Sequence, residues 1–405
     1  MRFFYLVLPI VAALGYGTAD AREFVLSDSG IGSREEDWSI SSSDLGIATE
    51  LFFTVSKHIL HGGKQDGVEL IEIDNGIMTI TVIPTRGMSI FKVHSEDVTL
   101  GWTSPVEEIV HPAFIDLESR GGLGWLDGFN EMLVRCGYEW TGHPGMDEGR
   151  LLSLHGRAGN TPASKVMVVI DDEPPHRIRV RGQVNEKVFK FVNYETWTEV
   201  STEPGSHSFA ITDTLTNQAD YAHEYQVIYH GNFGPPLLEE GSTFLAPVKS
   251  VAPFNDDAAQ DIETWTTYLG PTQDYGEQVY NVVPYADAEG WTTVMLRNKH
   301  GDRGVKLEYD TRTLPYFTLW KNTDTEKEGY VTGLEPGTGY AYTRAIEREG
   351  GRVPTLAAGE SRSFRLTYTI LSTEEAVSAA EREISDLQGE QTTQVDTQPT
   401  AEEVQ

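Results

Sequence analysis

Alternation with a period of two recurs along this chain and restricts what it can fold into. In "IMTITVI" (77–83), Met78, Ile80 and Val82 fall on one side and Thr79 and Thr81 on the other. "GVKLEYD" (304–310) sets Val305, Leu307 and Tyr309 against Lys306, Glu308 and Asp310, and "SFRLTYTIL" (363–371) sets Phe364, Leu366, Tyr368 and Ile370 against Arg365, Thr367 and Thr369. Successive side chains of a strand point to opposite faces, so such runs describe strands with one face in a core. Similar runs lie near 166–170, 178–184, 188–200, 208–216 and 292–297, with turn signals between runs at "DNG" (74–76), "EPG" (203–205) and "KHGDRG" (299–304). No helix-length amphipathic segment precedes Thr373. The prediction is an all-β fold, a large antiparallel sandwich with few helices, rather than alternating β/α units. A propeller is disfavoured because no fixed-period repeat is present. Residues 121–149, rich in glycine and aromatics, read as a long loop excursion of the kind that is usually functional.

The two ends read differently. Residues 1–17 carry Arg2 followed by the apolar run "FFYLVLPIVAALGYG", and Ala19-Asp20-Ala21 offers a small-x-small cleavage pattern. That is the pattern of a secretory signal peptide, and it is shorter than the roughly 20 apolar residues a bilayer span needs. We therefore expect an exported protein, periplasmic or secreted. The division expected is a signal peptide at 1–21, an extension at 22–49, the sandwich at 50–372 and a tail at 373–405. The tail holds nine acids against the single base Arg382, with a short helix near 373–387 and disorder beyond Gly389. A net charge of −31 argues against nucleic acid or an anionic membrane surface as partner. Cys136 is the only cysteine, so no intramolecular disulfide can form.

Chemistry-bearing residues gather in three places. "LHGRAGNTPA" (154–163) holds His155, Arg157 and Asn160 around glycines; if extended, His155 and Arg157 share a face and could hydrogen-bond the hydroxyls of a polyol. "YHGNFGPP" (229–236) ends a strand-like run on His230 and Asn232. "TGLEPGTGY" (332–340) sets Glu335 between Leu334 and a Pro-Gly turn, where partial desolvation would make it a better base near neutral pH. Two imidazoles and a glutamate supply a general acid, a general base and an orienting group with no metal or cofactor. Metal-ligand spacings, a GxSxG elbow, a P-loop and a GxGxxG turn are all missing from the sequence.

The chain resembles the galactose mutarotase (aldose 1-epimerase) superfamily, and within it a divergent aldose 1-epimerase-like branch of unknown function. The resemblance is carried by "PTRGMSI" (84–90), "LHGRAGNTPA", "YHGNFG" and "GLEPGTGYAYTRAIEREGGRVPTLAAGES" (333–361), and spans 50–371. It implies the β-supersandwich fold, with His230 protonating the sugar ring oxygen, Glu335 removing the anomeric proton and His155 polarising the sugar. Arg86, Arg157, Asn160, Asn232 and Trp320 would be substrate contacts, the Trp320 indole stacking on an apolar sugar face.

Three functions follow. The first is an aldose 1-epimerase-like isomerase acting on a small sugar. The second keeps the fold but performs β-elimination or hydrolysis on a modified sugar or oligosaccharide, with Tyr229 and Arg86 assisting. The third is carbohydrate binding without turnover. Fold analogy does not separate them, because function lives in the site.

Overall fold

The computed structural model describes residues 21–48, 52–96 and 98–401. The signal-peptide segment, apart from Ala21, lies outside the described residues. The alternating runs form strands, and among the described residues these assemble into sheets of ten and thirteen strands, with two small ribbons besides. In the ten-stranded sheet, Ser361–Leu371, Ser208–Asn217, Asn193–Thr202, Ile178–Lys187 and Lys165–Asp171 lie side by side, all antiparallel. Ser208–Asn217 buries every second residue, as a sheet with one wet face requires.

The thirteen-stranded sheet differs in its middle. There Gln278–Pro284, Tyr316–Asn322, Val331–Gly337, Gln226–Phe233 and Leu133–Tyr138 are successive neighbours. The last three are buried at every position, because both faces are covered. One face packs on the ten-stranded sheet through Tyr229, Phe233, Phe317, Leu319 and Leu334 against Phe209, Ile211, Leu366 and Tyr368. The other face packs Val134, Cys136, Ile228 and Val331 beneath Trp102, Trp125, Phe129, Leu154, Phe254 and Tyr342. This second layer creates the site.

The two sheets are also tied by charge. Arg135 points into the main core, where its guanidinium donates to both carboxylate oxygens of Asp213 (2.5 and 3.1 Å) and to the carbonyl of Met88 (2.6 Å). The Tyr229 hydroxyl donates to the same carboxylate at 2.8 Å.

Four readings are corrected. Residues 121–149 are not one loop, since they contain the central strand Leu133–Tyr138. The run near 188–200 is broken: one strand ends at Lys187, the next starts at Asn193, and the turn between them exposes Phe189 and Phe191. The N-terminal extension is part of the sandwich, since Ala21–Asp28 pairs antiparallel with Lys165–Asp171. The described part of the tail, to Ala401, is paired beyond its helix. Glu374–Gln388 lays Val377, Ala380 and Ile384 on Met295 and Leu371; Gln394–Val395 then pairs with Val248–Pro253, and Asn281 donates to the Thr400 hydroxyl at 3.1 Å. Edge-strand backbone pairing, which needs no apolar pattern, holds this segment. Among the described residues no helix is long and apolar enough to cross a membrane.

Candidate active site

Strand alternation delivers the first two groups. In Gln226–Phe233, Tyr229 and Phe233 face the main core, so His230 and Asn232 face the second layer. The neighbouring strand Val331–Gly337 runs antiparallel, with Leu334 opposite Gly231 and Gly333 opposite Asn232. Leu334 points into the core and Glu335 out of it, beside His230. His230 Nε2 stands 3.3 Å from Glu335 Oε1. Glu335 therefore sits within a strand rather than at a turn. Gly333 shares its face, and a Cβ there would lie 2.3 Å from Glu335 Oε1, so glycine leaves the room that the carboxylate occupies.

His155 arrives from the opposite wall. Its φ of 57° and that of Gly156, 74°, reverse the chain. A Cβ on Gly156 would meet the carbonyl oxygens of Trp140 at 2.2 Å and Gly137 at 2.6 Å. The His155 and His230 ring centroids are 5.2 Å apart.

The tautomer of His230 follows from its partner. Asn232 Nδ2 donates to the carbonyls of Glu131 and His230, leaving Asn232 Oδ1 as an acceptor 2.7 Å from His230 Nδ1. Nδ1 thus carries the hydrogen, and the Nε2 lone pair faces Glu335. Burial disfavours charge at all three groups. It pulls His230 down to about 4 and His155 well below the usual histidine range. It pushes Glu335 well above the usual carboxylate range, with the nearby charge of Glu277 adding to the rise. Burial thus favours the neutral pair, with its proton on Glu335, over the ion pair.

These groups form the floor of a cavity of about 1140 Å³. Trp125, Phe129 and Trp320 wall it, with ring centroids 5.9, 5.4 and 5.6 Å from that of His230. The Trp320 indole N–H donates to Glu277 Oε2 at 2.8 Å. On the floor, among the described residues, His155 Nδ1 has no hydrogen-bond partner, and Glu335 Oε1 has the His230 Nε2 contact at 3.3 Å.

His155, His230, Glu335 and Trp320 are thus brought to one cavity, whereas four other sequence-predicted contacts are not among its lining residues. Asn232 stands behind His230. Arg86 is buried, donating to Glu131 (2.6 Å), the Val110 carbonyl (3.0 Å) and Asn160 Oδ1 (3.1 Å), which also accounts for Asn160. Arg157 does not share a face with His155, because the positive φ angles turn it away. Its guanidinium lies 4.3 Å from the Trp140 ring centroid, between Glu139 and Glu186. Of the residues missed, Trp125 and Phe129 lie in the glycine-aromatic stretch, whose composition was the available signal. His143 lies in the same stretch, whereas Asp257, Glu277 and Glu349 lie in no motif that singled them out.

A two-sheet β-sandwich of the galactose mutarotase-like class, with a buried His–Glu pair in a cavity on one sheet, is what this geometry defines. Residues 65–370 match the family described as Domain of unknown function (DUF4432), and the chain belongs to that family. Over 95% of its length it is similar to the whole of a protein from Klebsiella pneumoniae subsp. pneumoniae MGH 78578, provisionally named an aldose 1-epimerase, at 50% identity and a TM-score of 0.93. A galactose mutarotase-like protein from Clostridium acetobutylicum shares the fold at 14% identity and a TM-score of 0.53, over 79% of this chain and 98% of that one. No curated protein matches the chain. The family thus shares its fold with galactose mutarotase-like proteins.

Proposed function

We propose that the protein is an aldose 1-epimerase-like isomerase, interconverting the anomers of a reducing sugar by opening and reclosing its ring. The single observation that carries this reading is the buried His230–Glu335 pair, 3.3 Å apart on the floor of the cavity. The anomeric hydroxyl oxygen and the ring oxygen share one carbon. An acid and a base within hydrogen-bond reach of each other can therefore address both oxygens.

With a cyclic sugar bound, the proton of the pair rests on His230. Glu335 removes the proton of the anomeric hydroxyl and His230 protonates the ring oxygen, so the bond between the anomeric carbon and the ring oxygen breaks and an aldehyde forms. The proton then rests on Glu335, the state that burial favours in the empty site. Rotation about the bond to the aldehyde carbon and reclosure on its other face reverse both transfers. His155, which lines the cavity, hydrogen-bonds a hydroxyl. The elimination alternative finds less support, since Tyr229 is bonded to Asp213 and Arg86 to Glu131, and neither lines the cavity.

Proton NMR of freshly dissolved α-anomers of aldoses and reducing disaccharides tests the proposal. Anomeric equilibration should be faster with the protein and lose about 10²–10⁴-fold in Glu335→Gln. Unchanged equilibration of every sugar would sink the reading. We also propose export, on the N-terminal sequence alone. The intact mass of protein recovered from the native host should begin near Arg22, and retention of residues 1–21 would refute it.

A further inference from the structure

We propose that the cavity selects uncharged glycans of more than one ring and rejects anionic sugars; this rests on the reading that the cavity is the sugar site. Charge is the first ground. Asp257, Glu277 and Glu349, all exposed, stand in the cavity wall above the buried Glu335, and no lysine or arginine among the described residues lines it. The arginines on the helix Arg344–Glu349, which supplies Ile346 and Glu349 to the wall, point elsewhere: Arg344 and Arg348 pair with Asp147 and Glu224. The net charge of −31 gives the surrounding field the same sign. A phosphate, sulfate or carboxylate entering here meets like charge and no counter-cation.

The floor supplies the second ground, since its buried polar side chains, His155, His230 and Glu335, point to a polar ligand. His155 is 7% exposed and Glu335 2% exposed; among the described residues His155 Nδ1 has no hydrogen-bond partner, and Glu335 Oε1 has the His230 Nε2 contact at 3.3 Å. The imidazole suits a hydroxyl as donor or acceptor, and so does the carboxyl while it is protonated. Size is the third ground. About 1140 Å³ exceeds the roughly 300–1,000 Å³ of pockets that enclose drug-sized ligands. A single ring on the floor leaves the outer part unfilled. That outer part offers Leu126 and Met146, 43% and 64% exposed, which suit the C–H faces of a second ring.

The test is a ligand-observed NMR titration of the full chain with maltose, cellobiose, lactose, glucose, galactose, glucose 6-phosphate, glucuronate and galacturonate. Anionic sugars should bind about tenfold or more weakly than their neutral counterparts at low ionic strength, and the gap should narrow with added salt. Disaccharides should bind more tightly than their constituent monosaccharides. The triple variant Asp257→Asn, Glu277→Gln, Glu349→Gln should bring the anions to within about threefold of the neutral sugars. Should that variant fail to fold, the salt dependence of the wild type makes the same test. Equal binding of anionic and neutral sugars, no gain from a second ring, or no binding by any of the eight would overturn the inference. Anomeric equilibration followed in the same tubes separates the two proposals. Selective binding without faster equilibration removes the epimerase reading and leaves the selectivity. Faster equilibration of an anionic sugar does the reverse.

Discussion

In the proposed reaction His230 works through a proton whose position Asn232 fixes. Because the amide oxygen accepts from Nδ1 at 2.7 Å, the lone pair left on the imidazole is the one that faces Glu335. In the free protein His230 titrates at about 4 because it is buried. Below that pH the pair holds two protons and has no base. The acid limb of kcat/KM should therefore fall near pH 4, since this parameter reports the groups of the free enzyme. Asn232→Asp would place a carboxylate beside Nδ1 and stabilise the imidazolium, which raises that pKa. The acid limb should move up toward neutrality, and a limb that stays where it was would show that Asn232 does not set the imidazole. Gly333→Ala acts on the other partner. Its methyl would press against Glu335 Oε1, so kcat should drop about 100-fold, since small misplacements of a reacting group cost that much. A variant with unchanged kcat would mean that the carboxylate is free to move without consequence.

At the scale of elements, the His230 and Glu335 strands are held by what lies on their other face. Asp213 occupies an inward position in the row Phe209, Ile211, Leu215, where a carboxylate needs a buried partner, and Arg135 supplies it. Asp213→Ala leaves Arg135 buried and unpaired, which should destabilise the fold by about 3–5 kcal/mol. Pairing Arg135→Met with Asp213→Leu should restore most of that loss. Denaturant midpoints measure both, and a single variant as stable as the wild type would refute the coupling. The same two-faced burial explains which elements the sequence displayed. Ser208–Asn217 and Ser361–Leu371 have a wet face, so their alternation is visible. Leu133–Tyr138 has none, and "LVRCGY" carries no alternation to find. His230 and Glu335 were legible as polar residues where apolar runs end. The companions of His155 were not, because nothing in "LHGRAG" states that His155 adopts a positive φ and sends Arg157 to Trp140.

For the whole molecule, a sandwich needs two covered inner faces and can leave its outer faces wet. This chain covers part of one outer face as well, under Trp125, Phe129, Phe254 and Tyr342, and the cavity opens in that added layer. The central claim is that catalysis in this cavity is one proton exchanged between His230 and Glu335. Rates of anomeric equilibration in His230→Gln, Glu335→Gln and the double variant test it most directly. A relay of one proton fails completely when either end is removed, so each single variant should lose as much as the double. Losses that multiply, or a single variant that keeps most of its rate, would contradict the account.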